Sequence, residues 1–231
     1  MFSMQIITAS TENELFESAS SWIVEAIVRH MEKKGICVIG TVGGRSLPGL
    51  LEQLLLHANE LKHGNIELFW LDERVGKEKN YDGAISYLEK LHKAGVPIIW
   101  HPFIGLTREE ISLEIVSHEQ TIIALQESLR FDIIITSSGE DGHVASLFPH
   151  SIALQEKEPK YLFVENVPKP PPLRISASPG LLLTADDAFL FIVGDKKPAY
   201  NAFVNPAVPV TQCPAKLLQD LPQLIVFVCV K

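Results

Sequence analysis

Short apolar runs alternate along the chain with longer stretches in which apolar residues recur every three to four positions, a pattern that predicts strands separated by helices. Residues 4–8, 36–39, 66–71, 97–101, 133–136, 161–165, 188–193 and 224–230 read as strands, most of them apolar throughout, as strands buried on both faces are. Leu15, Ala19, Trp22, Ile23, Ala26, Ile27 and Met31 lie at helical spacing; the helix they define opens on a capping box, Thr11 to Glu14, and closes at Lys33-Lys34-Gly35. Further helices are predicted over 47–61, from Asn80-Tyr81-Asp82 to Lys93, from Thr107 onward with Ile111, Ile115, Ile122, Leu125 and Leu129 on one face, over 179–183 and over 199–203. His118 falls on the apolar face of the helix after Thr107 and reads as a packing residue. Residues 214–218 suit one or two helical turns, and 167–172, with four prolines, an extended loop. The regular alternation implies an α/β fold with a largely parallel central sheet covered by helices on both faces. With no internal repeat and no long linker, 1–231 is expected to form one domain.

Composition narrows the class without naming it. Of 231 residues 46% are apolar and 21% charged, ordinary for a globular protein, and no apolar run approaches the roughly 20 residues that span a bilayer. The start, MFSMQIITASTENELFE, lacks the basic flank and apolar core of a signal peptide, so a cytoplasmic protein is expected. Cys37, Cys213 and Cys229 form no CxxC pair, and Cys37 and Cys229 sit in strand-like runs as reduced buried thiols. A net charge of −8 with no basic stripe argues against nucleic acid, though not against a small anionic ligand.

Candidate chemistry gathers at the ends of predicted strands, where open α/β sheets place their ligands. The central stretch, FDIIITSSGEDGHVASLFP over 131–149, runs from a buried strand into a polar turn holding Glu140, Asp141 and His143 between glycines, and 143–148 reads as the start of a short helix. After the strand at 36–39 comes Gly43-Gly44-Arg45-Ser46, a turn that exposes backbone N–H groups at a helix start and suits a phosphate, although such glycines also serve purely steric ends. Asp72-Glu73-Arg74 follows the strand at 66–71 and taken alone reads as a solvated loop; Gly194-Asp195-Lys196-Lys197 follows the strand at 188–193. The shared topological position of these four segments favours a site.

Gly139-Glu140-Asp141-Gly142-His143-Val144-Ala145-Ser146-Leu147-Phe148-Pro149 closely resembles the GxDGHxASLFP signature of 6-phosphogluconolactonases. Asp72-Glu73-Arg74 is similar to that family's second motif, with Asn80-Tyr81 beyond it. Gly43-Gly44-Arg45-Ser46 resembles its phosphate loop, more often Gly-Gly-Ser-Thr-Pro; Arg174-Ile175-Ser176 resembles its Arg-Ile-Thr segment and Gly194-Asp195-Lys196-Lys197 its Gly-x-x-Lys segment. The resemblance implies hydrolysis of 6-phospho-D-glucono-1,5-lactone to 6-phosphogluconate in the oxidative pentose phosphate pathway. It also implies a fold like those of ribose-phosphate isomerases and glucosamine-6-phosphate deaminases, with no metal and no organic cofactor. A monomer or weak homo-oligomer is expected, with a phosphosugar lactone as its partner and neither nucleic acid nor membrane.

Under that resemblance His143, whose side-chain type titrates near a reference pKa of roughly 6.5, takes a proton from water and returns it to the ring oxygen. Asp141 or Asp72 orients the imidazole or the water, and the sequence leaves both open. Arg74 and Lys197 are candidate cations for the 6-phosphate or the oxyanion; Gly43, Gly44, Arg45 and Ser46 line the phosphate loop, with Arg174 assisting. Three rivals remain. A glucosamine-6-phosphate deaminase shares the Asp-Gly-His core but continues Phe-Asn-Glu-Pro, where this chain has Phe148 in place of the carboxylate. A sugar-phosphate sensor would bind without turnover. Metal-assisted hydrolysis would recruit Asp141, His143, Asp72 and Glu73, though without HxxxH, HExxH or cysteine-rich spacing.

Overall fold

A computed structural model describes residues 3–44 and 46–231, with only the backbone of Ser3 and Ser46. Its elements run in chain order β1 (Ser3–Thr8), α1 (Glu12–Lys34), β2 (Ile36–Thr41), α2 (Ser46–Leu56), β3 (Asn65–Trp70), β4 (Asp72–Arg74), α3 (Ile85–Lys93), β5 (Ile98–His101) and α4 (Arg108–Gln126). They continue with β6 (Ile133–Ser137), β7 (Tyr161–Val164), β8 (Arg174–Ala177), α5 (Pro179–Leu182), β9 (Asp187–Gly194), α6 (Lys197–Val204) and β10 (Gln223–Val230). Seven strands form one sheet in the order β1-β10-β9-β6-β2-β3-β5, and every pairing in it is parallel.

Side chains on successive strand residues point to opposite faces, and helices cover both. Ile66 and Leu68 of β3 face Ile27 of α1, Leu50 of α2 and Leu91 of α3. Phe69, of opposite parity, meets His118 of α4 edge-on at 5.8 Å between ring centroids. His118 is thus the packing residue its spacing implies, and burial pushes its imidazole down to about 4, with His101 adding to the shift. Both capping boxes form: Thr11 with Glu14 and Thr107 with Glu110, each cap contributing about 1 kcal/mol, while Gly35 at φ 77° ends α1. At the end of the sheet away from the strand carboxyl termini, Asp132 accepts from Lys34 and the backbone N–H of Val38, and Asp187 pairs with Arg29 and His30. Cys37, Cys213 and Cys229 are buried thiols. No helix among the described residues is long and apolar enough to cross a membrane.

Several expectations change. The helix after the glycine turn stops at Leu56, and a separate 3-10 turn at Glu60–His63 takes up the rest of the predicted span. Residues 161–165 do not join the main sheet: β7 pairs with β8, and β8 with β4, as a second, antiparallel sheet of three strands. Residues 143–148 form no helix. Ala145 adopts a left-handed φ of 49°, the Ser146 N–H goes to Ser176 Oγ at 3.2 Å, and Val144 bridges both Ser138 and Leu147, so the segment doubles back.

Candidate active site

Because the main sheet is wholly parallel, the segments after β2, β3, β6 and β9 all leave from one edge, and β6 lies between β2 and β9. The turn after β6 is held on both sides: the Ser138 N–H donates to the Phe191 carbonyl at 2.9 Å, and Lys196 Nζ to the Ser138 carbonyl at 2.5 Å. The Gly139 N–H then donates to the His143 carbonyl at 2.9 Å, closing a tight loop around Asp141. Glycine is required twice in it. Gly142 has φ +81° and its missing Cβ would stand 2.8 Å from Cys213 Sγ; a Cβ on Gly139 would collide with the His143 ring.

His143 Nδ1 lies 2.5 Å from Asp141 Oδ1, and the His143 backbone N–H donates to the same oxygen at 3.3 Å. Burial works against the charge on Asp141, but the hydrogen bond and charge of His143 outweigh it and hold the carboxyl down at about 2. An ionised carboxylate only accepts, so Nδ1 donates to it, and in the neutral ring the lone pair is then on Nε2. The carboxylate that orients the imidazole is therefore Asp141. The ring packs on Phe148, 4.4 Å between centroids at 34°, yet 16% of the side chain remains exposed, so the imidazole is not sealed in the interior.

Asp72 occupies a different place. It is fully enclosed, accepts from Ser146 Oγ at 2.8 Å, and its carboxyl lies above the usual range because burial outweighs that bond and the nearby charges of Arg174, His143 and Arg74. Asp72 thus braces the far side of the 143–148 segment and makes no hydrogen bond to the ring. Arg174 pairs with Arg74 across β4 and β8, stands 5.8 Å over the Phe148 ring, and donates to the carbonyls of Lys169, Pro170 and Pro171. Much of its guanidinium therefore ties down the proline-rich loop.

Arg74 is half-buried; its Nε is enclosed without a hydrogen-bond partner among the described residues, and its Nη1 lies 3.9 Å from Glu78. Lys196 and Lys197 stand at the N-cap and first position of α6, and Lys197 is exposed. Cations there oppose the helix dipole, so helix stability does not account for them. Gly43 packs against Asn80, and Gly44 turns at φ +98°. The expectation for Arg45 lies outside the described residues, as does that for the Ser46 side chain.

Sequence reasoning assigned Glu73 nothing beyond a share in a metal site. It is completely buried, and its carboxylate is taken up by the backbone N–H groups of Arg74, Asn80 and Tyr81 at 2.7, 2.6 and 3.1 Å. A charged residue in a strand of three flanked by Asp72 and Arg74 gives no sign in sequence that loop N–H groups take up its carboxylate.

Comparison with known proteins places this parallel α/β sheet, with an imidazole bonded to a carboxylate at its strand ends, in a family of sugar-phosphate enzymes. The chain belongs to the glucosamine-6-phosphate isomerase/6-phosphogluconolactonase family, whose model matches residues 10–226. It is 31% identical over 210 residues to the 6-phosphogluconolactonase of Borreliella burgdorferi, covering 87% of each chain. Among solved structures it resembles the 6-phosphogluconolactonase of Trypanosoma brucei, with a TM-score of 0.79 at 20% identity over 100% of this chain and 97% of that one. It also resembles a monomeric glucosamine-6-phosphate deaminase, at 0.73 and 17% over 98% and 97%. These two likenesses establish the fold.

Proposed function

We propose that the protein hydrolyses 6-phospho-D-glucono-1,5-lactone to 6-phospho-D-gluconate in the pentose phosphate pathway, with His143 activating the attacking water. The observation that carries this reading is the 2.5 Å contact between His143 Nδ1 and an ionised Asp141, which directs the lone pair of the neutral ring to Nε2 at a partly open site. A lactone is an activated ester, so an aimed water and a stabilised oxyanion suffice without a covalent nucleophile. Nε2 takes a proton as the water oxygen bonds to the carbonyl carbon. The resulting imidazolium, stabilised by Asp141, returns that proton to the ring oxygen as the C–O bond breaks, leaving the open-chain acid. Arg74 and Lys197 supply positive charge for the 6-phosphate or the developing oxyanion, and the N–H groups of the Gly43–Gly44 turn add donors. Phe148, packed on His143, stands where the deaminase sequence pattern places a glutamate, which favours lactone over amino sugar as substrate.

The test is a lactonase assay with the spontaneous reaction subtracted, on wild type and His143→Ala. The variant loses roughly 10²–10⁴-fold in kcat with KM largely kept, the range for removing a general base. Near-normal turnover would take His143 out of the mechanism; ammonia release from glucosamine 6-phosphate by the wild type would replace the lactonase reading with deamination.

A further inference from the structure

We infer that Glu73 is a positioning residue: its carboxylate, drawn under three backbone N–H groups, fixes the segment 74–81 so that Arg74 and the glycine turn present one preformed anion site to the substrate. The inference rests on the lactonase reading above and extends it to a residue that touches no reacting atom.

The geometry runs outward from one side chain. β4 is three residues long, and alternation along it turns Glu73 away from the face of Asp72 and Arg74 and into the protein. Oε1 accepts from the N–H groups of Arg74 and Asn80, and Oε2 from that of Tyr81, so one carboxylate joins the two ends of the segment. Asn80, fixed in this way, lies directly against Gly43: a Cβ on that glycine would fall 2.5 Å from Asn80 Cβ and 2.6 Å from the Asn80 carbonyl oxygen. Glu73 thereby sets both the backbone that carries Arg74 and the surface on which the glycine turn rests.

A second tie acts on the segment's other side. Lys79 Nζ donates to the Arg74 carbonyl at 3.0 Å and to the Gly105 carbonyl at 2.5 Å, while Glu114 accepts from the Gly105 N–H at 3.0 Å. Arg74 is therefore held by its own N–H and its own carbonyl, yet its enclosed Nε has no hydrogen-bond partner among the described residues. A fixed backbone with an unsatisfied guanidinium donor is what a ligand-binding arginine requires and what a purely structural one avoids.

Fold stability alone gives a poor account of the charge. Burial pushes the Glu73 carboxyl up to about 7 despite hydrogen bonds from Asn80, Arg74 and Tyr81, so the ionised form is disfavoured where it sits. A glutamine would fill the same space at lower desolvation cost, but its amide nitrogen would face the Tyr81 N–H donor to donor. Only a carboxylate accepts from all three groups at once.

The test is a double-mutant cycle on KM, with lactonase kinetics for wild type, Glu73→Gln, Arg74→Ala and the double variant, and thermal melts to confirm folding. Glu73→Gln is expected to raise KM about tenfold with kcat within about twofold, and the double variant to be no worse than Arg74→Ala, because two residues that act as a unit are not additive. If Glu73→Gln does not fold, Lys79→Gln, which unties the same segment from Gly105, takes its place with the same expectation. An unchanged KM, a loss confined to kcat, or effects that multiply in the double variant would overturn the inference. Wild-type KM in Arg74→Ala would sink it together with the assignment of Arg74 but leave lactone hydrolysis standing, whereas a wild type without lactonase activity would sink the functional reading itself.

Discussion

A Cβ built on Gly139 would lie 2.0 Å from both Cε1 and Nδ1 of His143, so the imidazole occupies the space that any other residue at 139 would claim. The ring has little room to yield, with Phe148 packed on it and Asp141 bonded to Nδ1. The close approach explains why a glycine stands there, at the end of a strand whose preceding residues are β-branched or small.

Gly139→Ala should displace the ring without unfolding the chain. We expect kcat to fall about 10²-fold, the cost of misplacing a reacting group by an ångström or so, with a much smaller change in KM. Steady-state kinetics on a variant shown by circular dichroism to be folded would check this. Wild-type kcat would mean that turnover uses a different ring position.

Asp141→Asn keeps the shape of the side chain but removes the charge and adds a donor that competes for Nδ1, disfavouring the tautomer with a free Nε2. A fall in kcat of roughly 10²–10⁴-fold is expected, as when an orienting carboxylate is amidated beside a catalytic histidine. Because His143 holds the Asp141 carboxyl at about 2, below the reference near 3.9, its contribution to stability is present above about pH 4 and is lost as pH falls toward 2. The wild type should therefore lose its melting advantage over Asp141→Asn between those two values. An advantage that persists unchanged down to pH 2 would show that the ion pair does not form in the folded protein.

Much of this arrangement was legible in the chain because its determinants are local. Periodicity marked β2, β6, β9 and β10 within a residue or two, and the Asp141–His143 contact spans two positions in one turn. What escaped was set by partners distant in sequence. β4 is too short to show alternation and exists because β8, a hundred residues away, pairs with it. The choice between Asp72 and Asp141 turned on Ser146 claiming the first, and the inward orientation of Glu73 on loop N–H groups that carry no side-chain signature. Residues 143–148 look helical by composition, but the Ser146 N–H finds Ser176 of the second sheet instead of a carbonyl one turn back.

Lys197 offers a prediction that separates ligand binding from packing. It is exposed at the first position of α6, whereas its neighbour Lys196 reaches back to the Ser138 carbonyl and supports the turn that carries His143. Lys197→Ala should raise KM about tenfold with kcat nearly unchanged, as loss of binding common to ground and transition states does. Salt screens an exposed charge, so the difference from wild type should shrink on going from low ionic strength to about 1 M. A loss in kcat alone would instead place Lys197 at the oxyanion.

Ser146→Ala tests the brace beneath the site. Ser146 Oγ donates to Asp72 at 2.8 Å, and burial already lifts that carboxyl above its ordinary range; without the hydroxyl the charged form loses its side-chain donor. A hydrogen bond to a buried charged group contributes about 1–3 kcal/mol, which in a chain of this length corresponds to a melting point lower by several degrees. The sign with pH follows from which form the hydroxyl favours. While the folded Asp72 is protonated the loss is smallest, and it grows as pH rises through the raised range of the folded carboxyl, the unfolded chains being alike. Urea denaturation of wild type and Ser146→Ala at pH 4.5 and pH 8 reads this difference, and a deficit equal at both values would show that Asp72 does not ionise against Ser146.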